Sequence, residues 1–278
     1  MAALRILGVD FTSAPRRAKP ITVAVGAIAD GGLLVERVER IPDFAGFERL
    51  LRAPGPWVGG FDFPFGLPRE LIVALGWPLR WPALVSHYAR LDRATIAAAF
   101  DAFRAARPAG NKYAHRASDA ASGAHSPMKL VNPPVAWMLH AGAPRLLDAG
   151  VHLPALHDGD RARVALEAYP GLAMHTIAAL AGHARAPTYK NDAPGKQTTA
   201  RRDARVLLLD AIVDGDYPCG VPARLSRSLR KMAIDDGSGD TLDAIAAAVQ
   251  AAWGAQRADA NYGLPEGLDR LEGWIVTA

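Results

Sequence analysis

The order of apolar and polar residues divides the chain into three stretches. Residues 4–10 (LRILGVD) form a compact apolar run ending in a turn signal, the pattern of a strand buried on both faces. Residues 21–29 (ITVAVGAIA) repeat it, and Asp30-Gly31-Gly32 separates them from a third run, LLVERVERI. A short glycine-bearing step between two apolar runs predicts a hairpin. Over 42–53, Phe44, Phe47, Leu50 and Leu51 fall on one face at helical spacing. A fourth strand, WVGGFDF, follows and stops at Pro64. From 66 to 159 the pattern changes to Pro-, Trp- and Ala-rich sequence, with helical pieces at 93–107 and 134–147. The polar segment between those pieces, PAGNKYAHRASDAASGAHSPMKLVNPP, has no periodicity, and connections of that length are usually functional or mobile. Regularity returns at RARVALEAYP, a fifth strand broken by Pro170. Helices are then predicted over GLAMHTIAALAGH, TTARRDARVLLLDAIVDGD and DTLDAIAAAVQAAW. The expectation is a single α/β domain over 1–278. It has a mixed five-stranded sheet flanked by helices, with a helical and loop insertion (about 66–159) between strands four and five.

Composition narrows the class without naming it. The 278 residues are 50% hydrophobic and 22% charged, an ordinary globular balance with enough apolar material for a substantial core. No apolar run approaches the roughly 18 residues that a membrane span requires. The first apolar run ends in Asp10 rather than in a small-residue cleavage site, so it does not read as a signal peptide. The single cysteine, Cys219, excludes an intramolecular disulfide framework and fits a reducing, cytoplasmic setting. A net charge of +4 is compatible with a phosphate-rich partner. No basic block stands out, however, and most of these charges read as solvated surface.

The candidate chemistry is acidic. Asp10 closes the first strand, Asp62 the fourth, and Glu167 lies at the end of the fifth. In open α/β sheets, sites form where strands end and loops diverge. Each acid alone also has a plain reading as a turn former. Together they would repel and raise one another's pKa unless a cation neutralised them, and a shared divalent metal resolves that conflict. Asp240 and Asp243, three apart at the start of the last helix, can reach one point. Asp240 reads equally as an N-cap with Asp243 completing a capping box, while Asp243, followed by the Ala244, Ala247 and Ala248 face, is the stronger ligand candidate. All-oxygen carboxylate sites select Mg²⁺ or Mn²⁺. Such ions activate water for phosphodiester cleavage. No G-x-S-x-G motif competes.

The motifs GVDFTSAP, FDFPFGLP, LEAYPG, GDTLDAIAAA and EGWIV, in that order, resemble the family called domain of unknown function 429, described as predicted nucleases of the ribonuclease-H-like superfamily. The strand–strand–strand–helix–strand beginning is also the order in which ribonuclease-H-like domains start. By position, the resemblance implies Asp10 as first-strand metal ligand, Asp62 and Glu167 as central acids, and Asp243, with Asp240 beside it, as helix ligands. The superfamily archetype takes one acid from the first helix. Here that helix offers Asp43 and Glu48 in an ordinary amphipathic pattern, so the arrangement would have to resemble the Holliday-junction resolvases, whose terminal helix is similar to D-x-x-D-A.

Other residues carry less. The eight histidines show no zinc spacing. His152 and His157 stand five apart, His175 and His183 eight. Gly26, Gly31 and Gly32 make neither a dinucleotide fingerprint nor a P-loop. Trp57, Trp77, Trp81 and Trp137 read as packing, and the aromatics of FDFPFGLP as a buried turn cluster around Asp62. Lys112, Arg116, Lys129, Lys190, Lys196 and Arg201 are candidates for phosphate contact, and equally for solvated charge. The leading expectation is a Mg²⁺- or Mn²⁺-dependent nuclease or phosphodiesterase with a nucleic acid or nucleotide substrate. In it Asp10, Asp62, Glu167 and Asp243 are catalytic, and these four with Asp240 are metal ligands. Arg116, Lys129, Lys190, Lys196 and Arg201 would bind substrate. The alternatives are an actin-like ATP-dependent phosphotransferase, which needs glycine-rich phosphate loops in two halves, and a non-catalytic binding module of the same fold.

Overall fold

The computed structural model describes residues 3–182, 186–216 and 220–278, so Cys219 and His183 lie outside the described residues. The strands are β1 (Arg5–Asp10), β2 (Ile21–Ala29), β3 (Gly32–Ile41), β4 (Trp57–Phe61), β5 (Val151–His152), β6 (Asp160–Glu167) and β7 (Ala223–Arg224). They form one sheet in the order β5-β6-β4-β1-β2-β3-β7. β2 runs antiparallel to both β1 and β3; the β1–β4, β4–β6, β5–β6 and β3–β7 pairs are parallel. The sheet thus has seven strands where five were expected. The two additional ones, β5 and β7, are edge strands of two residues each, too short to carry a side-chain period.

The helices are α1 (Phe44–Arg52), α2 (Arg69–Ala74), α3 (Trp81–Arg90), α4 (Arg93–Ala105), α5 (Ala117–Ser122), α6 (Val135–Asp148), α7 (Pro170–Leu180), α8 (Thr199–Asp214), α9 (Arg227–Asp235) and α10 (Asp240–Ala255). They cover both faces of the sheet. On one, Leu7, Val9, Val23 and Phe61 pack with Phe47 of α1, Trp81 and Tyr88 of α3, Phe100 of α4 and Leu139 of α6. On the other, Ile6, Ala24, Val58 and Leu166 pack with Met174 of α7, Leu208 of α8, and Ile245 and Val249 of α10. The 66–159 stretch supplies most of one helical layer and an edge strand. Its long polar segment holds α5, six residues whose small and polar composition carries no apolar stripe. Phe61, Phe63 and Phe65 are all buried, with Phe63 and Phe65 ring centroids 5.5 Å apart.

One helix-to-sheet contact governs the site. α10 is buried along almost its whole length and lies across β1, β2 and β4. A Cβ on Gly8 of β1 would collide with the carbonyl oxygen of Ala244 and the backbone nitrogen of Ala248. One on Gly60 of β4 would meet the carbonyl oxygen of Ala247. Strand glycines opposite helix alanines bring the two backbones together, as glycine does wherever another backbone must approach closely. The N-terminus of α10 is thereby held against the ends of β1 and β4.

Candidate functional site

Strand alternation decides which acids meet. Successive strand side chains point to opposite faces. Ile6 and Gly8 face α10, and Asp10 continues that series; Val58 and Gly60 face α10, and Asp62 follows them. The backbone N–H of Asp62 donates to the Val9 carbonyl at 2.9 Å, which holds it beside the end of β1. From above, α10 contributes Asp240 and Asp243 in its first turn. The N-cap of α10 is Gly239, in the left-handed region, with no side-chain cap; neither the N-cap reading of Asp240 nor the capping box is realised. The acids of the first helix lie elsewhere. Asp43 caps α1 by accepting from the Gly46 N–H at 2.7 Å, and Glu48 pairs with Arg145 at 3.2 Å.

Glu167 is the exception among the strand-end acids. Its partner across the β4–β6 ladder is Phe61, which faces the α1–α6 layer, and Glu167 turns the same way. There the Arg116 guanidinium donates to both of its carboxylate oxygens, at 2.6 and 2.8 Å, and the Phe65 N–H adds a bond of 2.9 Å. Arg116 also donates to Asp119 at 2.7 Å and to the Glu272 carbonyl at 3.0 Å. With 2% exposure, Arg116 is a buried tie between α5, β6 and the C-terminal segment.

Asp243 is fully buried, and both its oxygens are engaged. Oδ1 accepts from the Tyr189 hydroxyl at 2.6 Å and Oδ2 from the Lys190 ammonium at 2.5 Å. By contrast, among the described residues no donor hydrogen-bonds the carboxylate of Asp10 or Asp62. Burial and the charge of Asp243 push Asp62 up to about 7, against the pull of Lys190. Asp10 is held well above the usual carboxylate range by burial, then by Asp243 and Asp240. Burial raises Asp240 as well, and Lys19 opposes it. Burial works against the charged form of Lys190, but Asp243, Tyr189 and Asp10 outweigh it and hold the ammonium well above its ordinary value. Lys190 is thus a resident cation among three acids, with about half of its side chain exposed.

The remaining basic candidates are dispersed. Lys129 lies 3.5 Å from His125. Lys196 is exposed on a 3₁₀ turn (Pro194–Lys196), and the Arg201 guanidinium donates to its carbonyl. Tyr189 was not foreseen: nothing in the loop after α7 distinguishes this tyrosine from a surface one. Among the described residues, no group of three or more His, Cys, Asp or Glu is arranged to hold a metal ion. Beside the acids opens a cavity of about 370 Å³. Asp62, Asp243, Lys190 and the Arg116–Glu167 pair line it together with the apolar Phe63, Val135, Met138 and Ile275.

Fold and site together define an α/β protein with an aspartate–lysine cluster where two parallel strands meet a buried helix. The chain belongs to the family described as Protein of unknown function (DUF429), whose model matches residues 8–266. No curated protein and no solved structure matches it. Among the described residues, no helix is long and apolar enough to cross a membrane.

Proposed function

We propose that the chain is a divalent-metal-dependent phosphodiesterase of ribonuclease-H-like type, acting on a nucleic acid or nucleotide. One observation carries this reading: β1, β4 and α10 bring Asp10, Asp62 and Asp243 to one face, and among the described residues no donor reaches the carboxylate of Asp10 or Asp62. The fold supports it as well. The five inner strands run β6-β4-β1-β2-β3, with a three-strand meander first and β4 parallel to β1 after a helix, the order that the resemblance implies.

The fit to Mg²⁺ or Mn²⁺ rests on the donor set. Mg²⁺ is commonly held by one or two carboxylates, with waters and substrate phosphate completing its shell. Asp10 and Asp62 provide such a pair, and their raised affinity for protons reflects burial first and then repulsion from the neighbouring acids, both of which a bound cation offsets. Asp243 and Asp240 stand next to them. Glu167 fits less well, because Arg116 already holds both of its oxygens. When bound, the ion supplies Lewis-acid stabilisation of charge on the phosphate.

The chain's own residues perform the rest. Tyr189 fixes the orientation of Asp243. Lys190, half exposed on a flexible stem, offers its ammonium to a phosphate oxygen in exchange for Asp243. The Arg116–Glu167–Asp119 network holds the cavity wall in place, and that wall keeps bulk water from one side of the site. Arg116 is thus a positioning residue rather than a phosphate contact. The phosphotransferase alternative needs a second phosphate-gripping half, whereas the described strands form one sheet.

The test is Mn²⁺ binding by calorimetry, with hydrolysis of bis(p-nitrophenyl) phosphate, in the wild type, Asp10→Asn and Asp62→Asn. Both signals should be lost in the variants. Hydrolysis undiminished in Asp10→Asn, or metal binding equal in all three proteins, overturns the reading.

A further inference from the structure

The cavity beside the acids narrows the substrate class. Its volume of about 370 Å³ lies in the range of small-molecule sites, roughly 300–1,000 Å³. Its chemistry is divided. Its charged members include Asp62, Asp243 and Lys190; its apolar members include Phe63 from the turn after β4, Val135 and Met138 from α6, and Ile275 from the C-terminal segment. Tyr169 and Tyr189 also line it. Apolar walls with aromatic rings suit a flat heterocycle, since any base can stack on an aromatic side chain. A continuous duplex calls for a groove with basic residues along the phosphate backbone. Here Arg116 is buried in ion pairs and Lys196 lies outside the cavity lining, which leaves Lys190 as the solvent-reachable cation of the lining.

We infer that the substrate presents one nucleobase-sized aromatic group to this cavity, with its adjoining phosphoester directed at Asp62, Asp243 and Lys190. The inference rests on the hydrolytic reading of the acidic cluster and adds a class to it: a nucleoside phosphate, either free or as one unpaired residue of a strand. In the second case a paired base has to leave its stack before it can enter, which favours single-stranded over duplex substrates.

Calorimetric titration of the whole protein with adenosine 5′-monophosphate, ribose 5-phosphate, a single-stranded hexanucleotide and the matching duplex tests it. Adenosine 5′-monophosphate should bind at least about tenfold more tightly than ribose 5-phosphate, as expected for one stacked base. Val135→Trp, which fills the cavity from the first turn of α6, should remove that preference. Ala124→Leu, at another wall, provides a second variant should the first fail to fold. The tighter of mononucleotide and single strand identifies the source of the base, and either result supports the inference. Equal affinity for the two sugar phosphates, no binding of any probe, a duplex bound most tightly, or a preference that survives both substitutions overturns it. The acidic site's own test is separate: it fails if Asp10→Asn leaves hydrolysis of bis(p-nitrophenyl) phosphate undiminished, or if the wild type, Asp10→Asn and Asp62→Asn bind metal equally.

Discussion

Replacing Asp62 with asparagine should stabilise the metal-free protein while removing the proposed hydrolytic activity. Asp62 is partly buried at the end of β4 and is pushed up to about 7 by burial and by Asp243. An unfolded aspartate titrates near 3.9. Between those two values the folded chain binds more protons than the unfolded one, so stability falls as pH rises through the window. Below pH 4 the contribution vanishes, and above about pH 7 the full cost is present. Three pH units correspond to about 4 kcal/mol, which solvent screening of a partly exposed carboxyl reduces to roughly 2–4 kcal/mol. Asparagine keeps the shape and removes the charge. In urea unfolding with EDTA present, Asp62→Asn should therefore be more stable than the wild type by that amount at pH 8, with the difference narrowing towards zero at pH 4. For a chain of this size that is an increase in Tm of several degrees, at about 2–4 °C per kcal/mol. Saturating Mn²⁺ should reduce or reverse the advantage, because a ligand that binds the folded wild type stabilises it by mass action. A variant no more stable than the wild type at pH 8, or one whose advantage does not depend on pH, refutes the electrostatic reasoning.

Glu167→Gln should have the opposite sign. It leaves the buried Arg116 without its bidentate partner, and breaking a buried pair costs about 3–5 kcal/mol, read as a lower urea midpoint at pH 7. Gly8→Ala drives a methyl into the α10 backbone and should lose about 1–3 kcal/mol or more, together with Mn²⁺ affinity, since α10 can no longer hold Asp243 over β1. Lys190→Met removes the cation that draws down Asp10 and Asp62, so carboxyl NMR titration should find both higher than in the wild type, and phosphate affinity should fall.

Much of this architecture is legible in the sequence, for a physical reason. β1, β2, β3, β4 and β6 each contain enough alternating or continuous apolar residues to show a strand, and α10 is apolar over four turns, so pattern alone finds them. What escapes is whatever has too few residues to form a pattern. β5 and β7 hold two residues each. α5 is held in place by Arg116 and Asp119 rather than by an apolar stripe, so it reads as polar loop. Tyr189 escapes for a related reason: its role depends on a contact with Asp243, 54 positions away, and nothing local marks it.

Glu167 shows why strand-end acids cannot be sorted from sequence alone. Asp10, Asp62 and Glu167 look equivalent as letters: each ends an apolar run and each precedes a loop. The difference between them is one of parity. A one-residue change of register moves a side chain to the opposite face. In a strand exposed on one side, the polar positions reveal which face is which. β6 ends in Val164-Ala165-Leu166-Glu167, apolar on both faces because helices cover both, so the sequence carries no record of parity. Only the pairing of Glu167 with Phe61 supplies it, and that pairing turns Glu167 towards Arg116 and Phe65, from where it still borders the cavity that Asp62 lines. Parity does not isolate Glu167 electrically, because its charge helps to raise Asp62: in a double mutant, the stabilisation from Asp62→Asn and the destabilisation from Glu167→Gln should depart from additivity by about 0.5 kcal/mol or more, with Asp62→Asn gaining less once Glu167 is neutral. Strict additivity would mean that the Arg116 ion pair screens Glu167 completely from Asp62, and the shared electrostatic reading of the two carboxylates would fail.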